Sequence, residues 1–488
     1  MNYFAKILEQ KNTLFVLSAL TLIGAALRLF VVINWMDIPG DGPTRAAYAY
    51  NWYVSPSLDT YGIWLPGFKY LTGIFTYIVP DPLFSIRIMN WIMGTLSILV
   101  FYYLVRRVQG HIAALFGAGV LAFFPLHIGL SASSLTEVSF IFETMLGIHF
   151  LIKACEDDRR NSLYLCISIF FILIASMTRY EGWLFLPFLV FYYYWKTKKI
   201  GVSLLLIAIC ALLPGIWMMG NHLYAGDFLL GIQAAKDVTW SKQVSLSKAL
   251  EIIGRLAVEQ FEWPLFLLIV IGVLMQLRDL IKKRLSWEQI LLFIVTFIFW
   301  AVMVRFGMVR GDTLQPRVLL FGMVLMLPFA ALPFRNLMAN DGRLLTLAFL
   351  FFLVTFIIPS MVHWPIKDVT RTKPEEIKRV AMWLKNNVKE PASVLLTAID
   401  GQATYLPLYF KEIGPHDKGH FIYFQHVGMS DARLKEYLIN HKPAIFITCD
   451  KDAKLKSDIE AVWEQKIASD EPVHKEGKIK IYIMASRD

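Results

Sequence analysis

Residues 35–53, WMDIPGDGPTRAAYAYNWY, follow directly on a membrane-length apolar run and set Asp37 and Asp41 near Arg45 and a row of aromatic residues. A carboxylate at a membrane face could take a proton from an acceptor hydroxyl, the work of a general base. The plainer reading of Asp41 is a helix cap, with Pro43 in the first turn. Asp37 and Asp59 are alternative acids in the same loop. A second set is basic: Arg28, Arg87, Arg179, Arg305, Arg310 and Arg317 fall in or beside one leaflet once the spans below are assigned. Arg28 and Arg87 lie inside apolar runs, where a charge costs on the order of 3 kcal/mol unless paired. Any one of the six can be read as snorkelling to the headgroups, or as a partner of Glu137, Glu143 or Glu181. Six at one depth suit a receptor for a lipid-borne phosphate, because guanidinium matches phosphate oxygens.

Three further stretches join them. In SSLTEVSFIFE (133–143), Ser134 and Glu137 have capping-box spacing, and Glu143 lies deeper and needs a partner. TRYEGWLFLP (178–187) puts Tyr180 and Glu181 beside Arg179; an interfacial anchor of ring and arginine is its plainer reading. In Gln315-Pro316-Arg317, Pro316 starts a helix. His127 and His149 read as packed or interfacial residues rather than metal ligands.

These residues need elements to hold them. Hydrophobic residues make up 56% of the 488-residue chain and charged residues 18%, and mean hydropathy is +0.52. Apolar runs long enough to cross a bilayer recur along the first three quarters, so the chain is read as a polytopic helical membrane protein. The spans fall at about 13–34, 83–104, 111–129, 134–153, 162–178, 182–196, 201–219, 263–278, 288–304, 316–333 and 343–361. Eleven spans with a cytoplasmic N-terminus put the C-terminal segment outside. Every inner loop is then basic, as in Arg106-Arg107 or Lys282-Lys283-Arg284, whereas outer loop 35–82 holds only Arg45 and Lys69. The net charge of +10 is thus a topology signal and does not imply nucleic acid. Cys155, Cys166, Cys210 and Cys449 show no metal-ligand spacing. The first run reads as an uncleaved anchor in a cell (inner) membrane.

Outer loops 35–82 and 220–262 are too long to be mere connections. From Thr370 onward, 19 basic and 17 acidic residues nearly balance, and the pattern becomes soluble α/β. PEEIKRVAMWLKNNV reads as a helix; ASVLLTAI, PAIFITC and KIKIYIMA read as strands. The expected division is a membrane unit over 1–369 and an extracytoplasmic α/β unit over 370–488.

Taken in order, the motifs resemble the GT-C membrane glycosyltransferases, most closely the protein O-mannosyltransferase and family 39 group. They are GDG (40–42), WLPGFKYLTGIF (64–75), IRIMN (86–90), SLTEVSFIF (134–142), TRYEGWLFLP (178–187) and QPRVLL (315–320), and the resemblance covers about residues 10–335. The resemblance implies a polyprenyl-phosphate sugar as donor, Asp41 as the catalytic acid/base, and Arg179, Arg317 and Arg87 as the donor's phosphate ligands. Glu137, Glu181, Tyr180, Arg45 and Asp59 are the further substrate-site candidates. Many members carry a second acid directly after the first; here Gly42 follows Asp41, so no metal or other cofactor is expected. The C-terminal part has no WWDYG-like motif, which argues against an oligosaccharyltransferase.

The expected reaction is an inverting transfer to an acceptor hydroxyl of a protein, glycolipid or glycan at the outer face. The rival is a transporter or flippase of lipid-linked saccharides, which should carry charges or broken helices along a path through the midplane. Here the intramembrane charges sit mostly toward one face, which favours the enzyme.

Overall fold

Inside a bilayer an apolar run can satisfy its backbone only as helix or closed barrel. The computed structural model describes residues 2–34, 41–81, 84–156, 160–231, 243–334, 374–387, 394–397, 421–424, 445–449, 472, 474–476 and 479–483. Its helices are α1 (Asn2–Asn34), α2 (Asp41–Val54), α3 (Gly67–Thr76), α4 (Ser85–Val108), α5 (His111–Phe123), α6 (Pro125–Ser131) and α7 (Glu137–Glu156). They continue as α8 (Asn161–Thr178), α9 (Glu181–Thr197), α10 (Ile200–Ala225), α11 (Leu246–Ile281), α12 (Trp287–Arg310) and α13 (Pro316–Ala330). Among the described residues eight helices are long and apolar enough to span, or nine if the bent pair α5–α6 is one span. The expected span 182–196 is α9, a helix of 17 residues. The expected span 343–361 and the 369/370 division lie outside the described residues, as does Asp37.

The run read as one span at 111–129 is broken. Pro125 forces Phe124 into extended backbone (φ −68°, ψ 110°), as a residue before proline prefers. The two halves meet at 60°. A break leaves the last carbonyls of α5 without helical partners, and Arg28 of α1 supplies them. Its Nη2 donates to Leu121 O (2.9 Å), and its Nη1 to Ala122 O (3.0 Å) and Gly24 O (2.8 Å). Nε donates to Ser131 Oγ (3.2 Å) and Nη2 to His127 Nδ1 (2.8 Å). Guanidinium has no acceptor, so Nδ1 is the accepting nitrogen. All five donors of a fully buried arginine are therefore used by the fold. Arg28 thus leaves the expected phosphate belt. Arg28→Ala should cost on the order of 3 kcal/mol, from several buried acceptors losing their donor. Thermal unfolding in detergent checks this, a small loss of melting temperature being the contrary result.

The long loop expected at 220–262 is shorter than expected. α10 continues to Ala225, where Gly226 ends it at φ 74°, and α11 starts at Leu246, with the Ser245 hydroxyl accepting from Lys248 N at 3.3 Å. Ala249, Ile252, Ile253, Leu256 and Ala257 are buried. Their spacing makes one helical stripe. The backbone kinks at Glu262 (φ 57°, ψ 153°), two residues before Pro264.

α7 begins at Glu137, which puts that residue at the first helical position rather than at the third, where a capping box on Ser134 places it. The preceding turn is held from α4: Asn90 donates to Ser133 O (2.7 Å) and Leu135 O (2.8 Å). Beyond residue 373, the described elements are the helix α14 (Pro374–Asn387) and five strands: β1 (Val394–Thr397), β2 (Phe421–Phe424), β3 (Ile445–Cys449), β4 (His474–Glu476) and β5 (Ile479–Ile483). The sheet order is β2-β1-β3-β5-β4, parallel across β2-β1-β3 and antiparallel beyond. α14 meets the membrane unit where Lys378 Nζ pairs with Asp81 (2.8 Å) and lies 4.6 Å from the Phe84 ring centre.

Candidate active site

Four helix beginnings supply the charged residues. Asp41, Glu137 and Glu181 are the first residues of α2, α7 and α9, and Arg317 is the second of α13, after Pro316. Carboxylates are favoured there because a helix N-terminus carries about half a positive charge. Arg179 sits between α8 and α9 in extended backbone (φ −144°, ψ 146°). Gly182 lets α9 start directly against the end of α8: a Cβ there would come 2.8 Å from Ala175 O and Ser176 Cα.

The guanidiniums gather these acids. Arg179 donates to Glu181 Oε1 (2.6 Å), Glu137 Oε1 (2.8 Å) and Thr136 Oγ1 (3.0 Å). Arg317 pairs with Asp41 Oδ2 at 3.0 Å, lies 4.0 Å from Glu137 Oε1, and donates through Nε to Gln315 Oε1 (2.6 Å). Arg45, one turn along α2 from Asp41, joins the cluster electrostatically and stacks 4.4 Å above Trp64. Burial pulls Arg45 down to about 10, against the opposing pull of Asp41 and Glu137. Burial also works to lower Arg179, but Glu181 and Glu137 more than offset it, leaving that guanidinium firmly protonated. Three guanidiniums and three carboxylates balance in formal charge, and the converging helix N-termini tip the site toward binding an anion.

The Glu137 side chain is 7% exposed and that of Arg179 15%, whereas Asp41 is 43% exposed. The buried Glu137–Arg179 pair is the fixed part of the site, and Asp41–Arg317 is the part solvent or a ligand can reach.

The other predicted residues are spread around this centre. Arg87 is fully buried and its Nε donates to Ala132 O at 2.7 Å. It therefore braces the turn that presents Thr136 and Glu137. Tyr180 donates its hydroxyl to Ile63 O (3.1 Å) and accepts from Trp217 Nε1 (3.3 Å), so it pins the loop between α2 and α3. That loop turns at Gly62, whose φ of 141° favours glycine, and whose N–H donates to the buried Asn221 (2.7 Å). Asp59 is ion-paired with Lys69. Asp59 and Arg45 share a cavity of about 320 Å³ with Tyr48, Tyr61, Trp64 and Lys69. Arg305 is exposed and Arg310 lies over Phe306 at 5.6 Å. Thr136, Trp64 and Trp217 were not singled out by type or spacing, since a lone hydroxyl or interfacial ring gives no signal of its own.

Comparison with known proteins extends this picture. Residues 65–217 match the family described as dolichyl-phosphate-mannose-protein mannosyltransferase. No curated protein matches the chain. Among solved structures, ArnT from Cupriavidus metallidurans, bound to undecaprenyl phosphate, is similar at 13% identity over 95% of this chain and 97% of ArnT, TM-score 0.59. The Archaeoglobus fulgidus oligosaccharyltransferase in its apo form matches at 13% identity over 92% of this chain and 71% of its own, TM-score 0.60. The same organism's AglB, in complex with an inhibitory peptide and a dolichol-phosphate, matches at 14% identity over 93% and 71%, TM-score 0.58. The likeness read from the motifs is borne out in the fold: this chain is a polytopic helical membrane protein that shares the fold of ArnT and of the archaeal oligosaccharyltransferase.

Proposed function

We propose that the protein is an inverting glycosyltransferase that moves a sugar from a polyprenyl-phosphate donor to an acceptor hydroxyl at the outer face of a cell membrane. The observation that carries this reading is the Asp41–Arg317 contact at 3.0 Å, backed by Arg179 and Glu137, where helix N-termini converge. An acid able to act as base thus stands against a cation able to hold phosphate. Arg317 and Arg179 bind the donor's phosphate, with Arg87 acting from behind by fixing the turn before α7. Once phosphate takes up the Arg317 donors, Asp41 is released toward the acceptor. Its carboxylate accepts the hydroxyl proton as the acceptor oxygen bonds to the anomeric carbon. The bond from that carbon to the phosphate oxygen breaks, and polyprenyl phosphate leaves with the electron pair. The guanidiniums stabilise the charge growing on the leaving group, so the reading calls on no metal.

An apolar cavity of about 110 Å³ between the helices supports a lipid donor. Its lining includes Phe185 and Phe321, each one helical turn past Glu181 and Arg317, and reaches Tyr192 and Glu288 at the other end of the bundle. In this reading residues 1–369 form the catalytic unit, the N-terminus is cytoplasmic, and residues 370–488 lie outside.

Incubating purified protein with radiolabelled polyprenyl-phosphate sugar tests the reading. Release of polyprenyl phosphate with labelled product is expected, and Arg317→Ala should weaken donor binding by about 100-fold, loss of a charge-assisted phosphate contact. Unchanged donor affinity in that variant removes the phosphate site.

A further inference from the structure

The cavity that Arg45 shares with Asp59 has no part in the transfer step as described above, and its construction is specific. All of its lining comes from residues 45–69, the α2 face and the loop leading into α3. None comes from a spanning helix. Arg45 both lines the cavity and belongs to the charge cluster, so the cavity adjoins the cluster.

Its walls are rings interleaved with charge. Tyr48, Tyr61 and Tyr61's neighbour Trp64 line it, with Phe68 buried behind. Tyr61 is stacked on Tyr224 of α10 at 3.9 Å and 15°, which fixes the ring on one face and leaves the other. Trp64 is held by Arg45 at 4.4 Å and edge-on by Tyr48 at 5.6 Å. Between the rings stand the Asp59–Lys69 pair and Arg45, an acceptor of hydrogen bonds beside two donors. Rigid aromatic faces offer flat apolar contact, and the charged groups bond to hydroxyls. A sugar ring presents the same alternation, with an apolar C–H face bounded by a rim of hydroxyls. The volume of about 320 Å³ is at the lower end of the small-ligand range, enough to admit a sugar ring.

A peptide would be recognised largely through its backbone, at an exposed edge or groove. Here four of the loop's backbone groups are already taken. Gly62 N–H donates to Asn221, Ile63 C=O accepts from Tyr180, and Asp59 N–H and C=O both meet the Tyr70 hydroxyl (2.5 and 3.3 Å). What distinguishes the cavity is its rings and charged side chains.

We propose that this cavity is the acceptor site and that the acceptor is a saccharide, whose ring lies against Tyr61 and Trp64 with hydroxyls on Asp59 and Lys69 while one further hydroxyl reaches Asp41. The proposal rests on the glycosyltransferase reading for its role, but its ligand class is tested apart from it. Saturation-transfer NMR with the full chain in nanodiscs, without donor, measures binding of mannotriose, chitotriose and a Ser/Thr-rich peptide. At least one trisaccharide is expected to bind, and the peptide is not. Tyr61→Ala and Asp59→Asn should each weaken that binding about tenfold, while the dissociation constant for the polyprenyl-phosphate donor stays unchanged. Tyr61 is 45% exposed, so its truncation leaves the fold standing, and Asp59→Asn changes no volume. Binding of the peptide alone, binding of neither, or saccharide binding indifferent to both variants overturns the proposal. Failure to consume donor with any acceptor, with saccharide binding intact, instead overturns the glycosyl-transfer reading.

Discussion

Asp41→Asn is expected to lower kcat by roughly 10²–10⁴-fold, the range a positioned general base supplies, without weakening donor binding. The direction of the second effect is the informative part. In the structure Asp41 occupies an Arg317 donor at 3.0 Å, so the phosphate has to displace it. Asparagine is neutral and competes less, so the variant should bind the polyprenyl-phosphate donor as tightly as the natural protein or more so. A residue that merely capped α2 would give the opposite pattern, with a less stable loop and a higher donor dissociation constant. Equilibrium binding of labelled donor and single-turnover transfer, measured on the same preparation, separate the two. Normal transfer by a folded Asp41→Asn protein would remove Asp41 from the chemistry.

The second large effect belongs to the buried half of the site. Arg179→Ala removes one partner from two carboxylates, of which Glu137 is 7% exposed and keeps the Arg317 guanidinium at 4.0 Å, with Arg45 acting on it electrostatically. Stranding a buried charge in this way costs about 3–5 kcal/mol. A variant with Glu137→Gln added should recover much of that loss, because the stranded charge is removed with its partner. Donor binding should not recover, because the phosphate's guanidinium is still missing. Thermal unfolding of the single and double variants, with donor affinity alongside, tests this. Recovery of both properties together would assign Arg179 a structural role alone.

The residues that meet in the site were legible because of where they stand in the sequence. Asp41, Glu137, Glu181 and Arg317 all lie at the edges of apolar runs, and a charge at such an edge belongs to a helix end at the membrane face. Arg28 and Arg87 showed the same depth, but depth does not reveal where a guanidinium spends its donors. That depended on a carbonyl group freed about a hundred residues away by Phe124-Pro125. The proline itself was visible, yet the surrounding hydropathy is high enough to read straight through it. The stripe of Ala249, Ile252, Ile253, Leu256 and Ala257 also has helical spacing, but the charges between its members mimic a loop when hydropathy is averaged. The cavity beside Arg45 had no signature at all, since its shape depends on Asn221 and Tyr180 clamping a turn that lies far from them in sequence.

The Arg28 staple also bears on how the chain is made. Arg28 enters the membrane with α1, but four of its five partners lie at residues 121–131, from 93 to 103 positions later. At a synthesis rate of about 5–20 residues per second, the ribosome needs roughly 5–20 s to deliver them. Throughout that interval the first helix holds, at bilayer depth, a cation with Gly24 O alone of these five partners in place. It has to be sheltered at the insertion machinery, or by snorkelling, until α6 emerges. Final seating of the first segment is thereby tied to the arrival of the third hydrophobic stretch, and a nascent chain halted before residue 121 should leave α1 extractable from the bilayer.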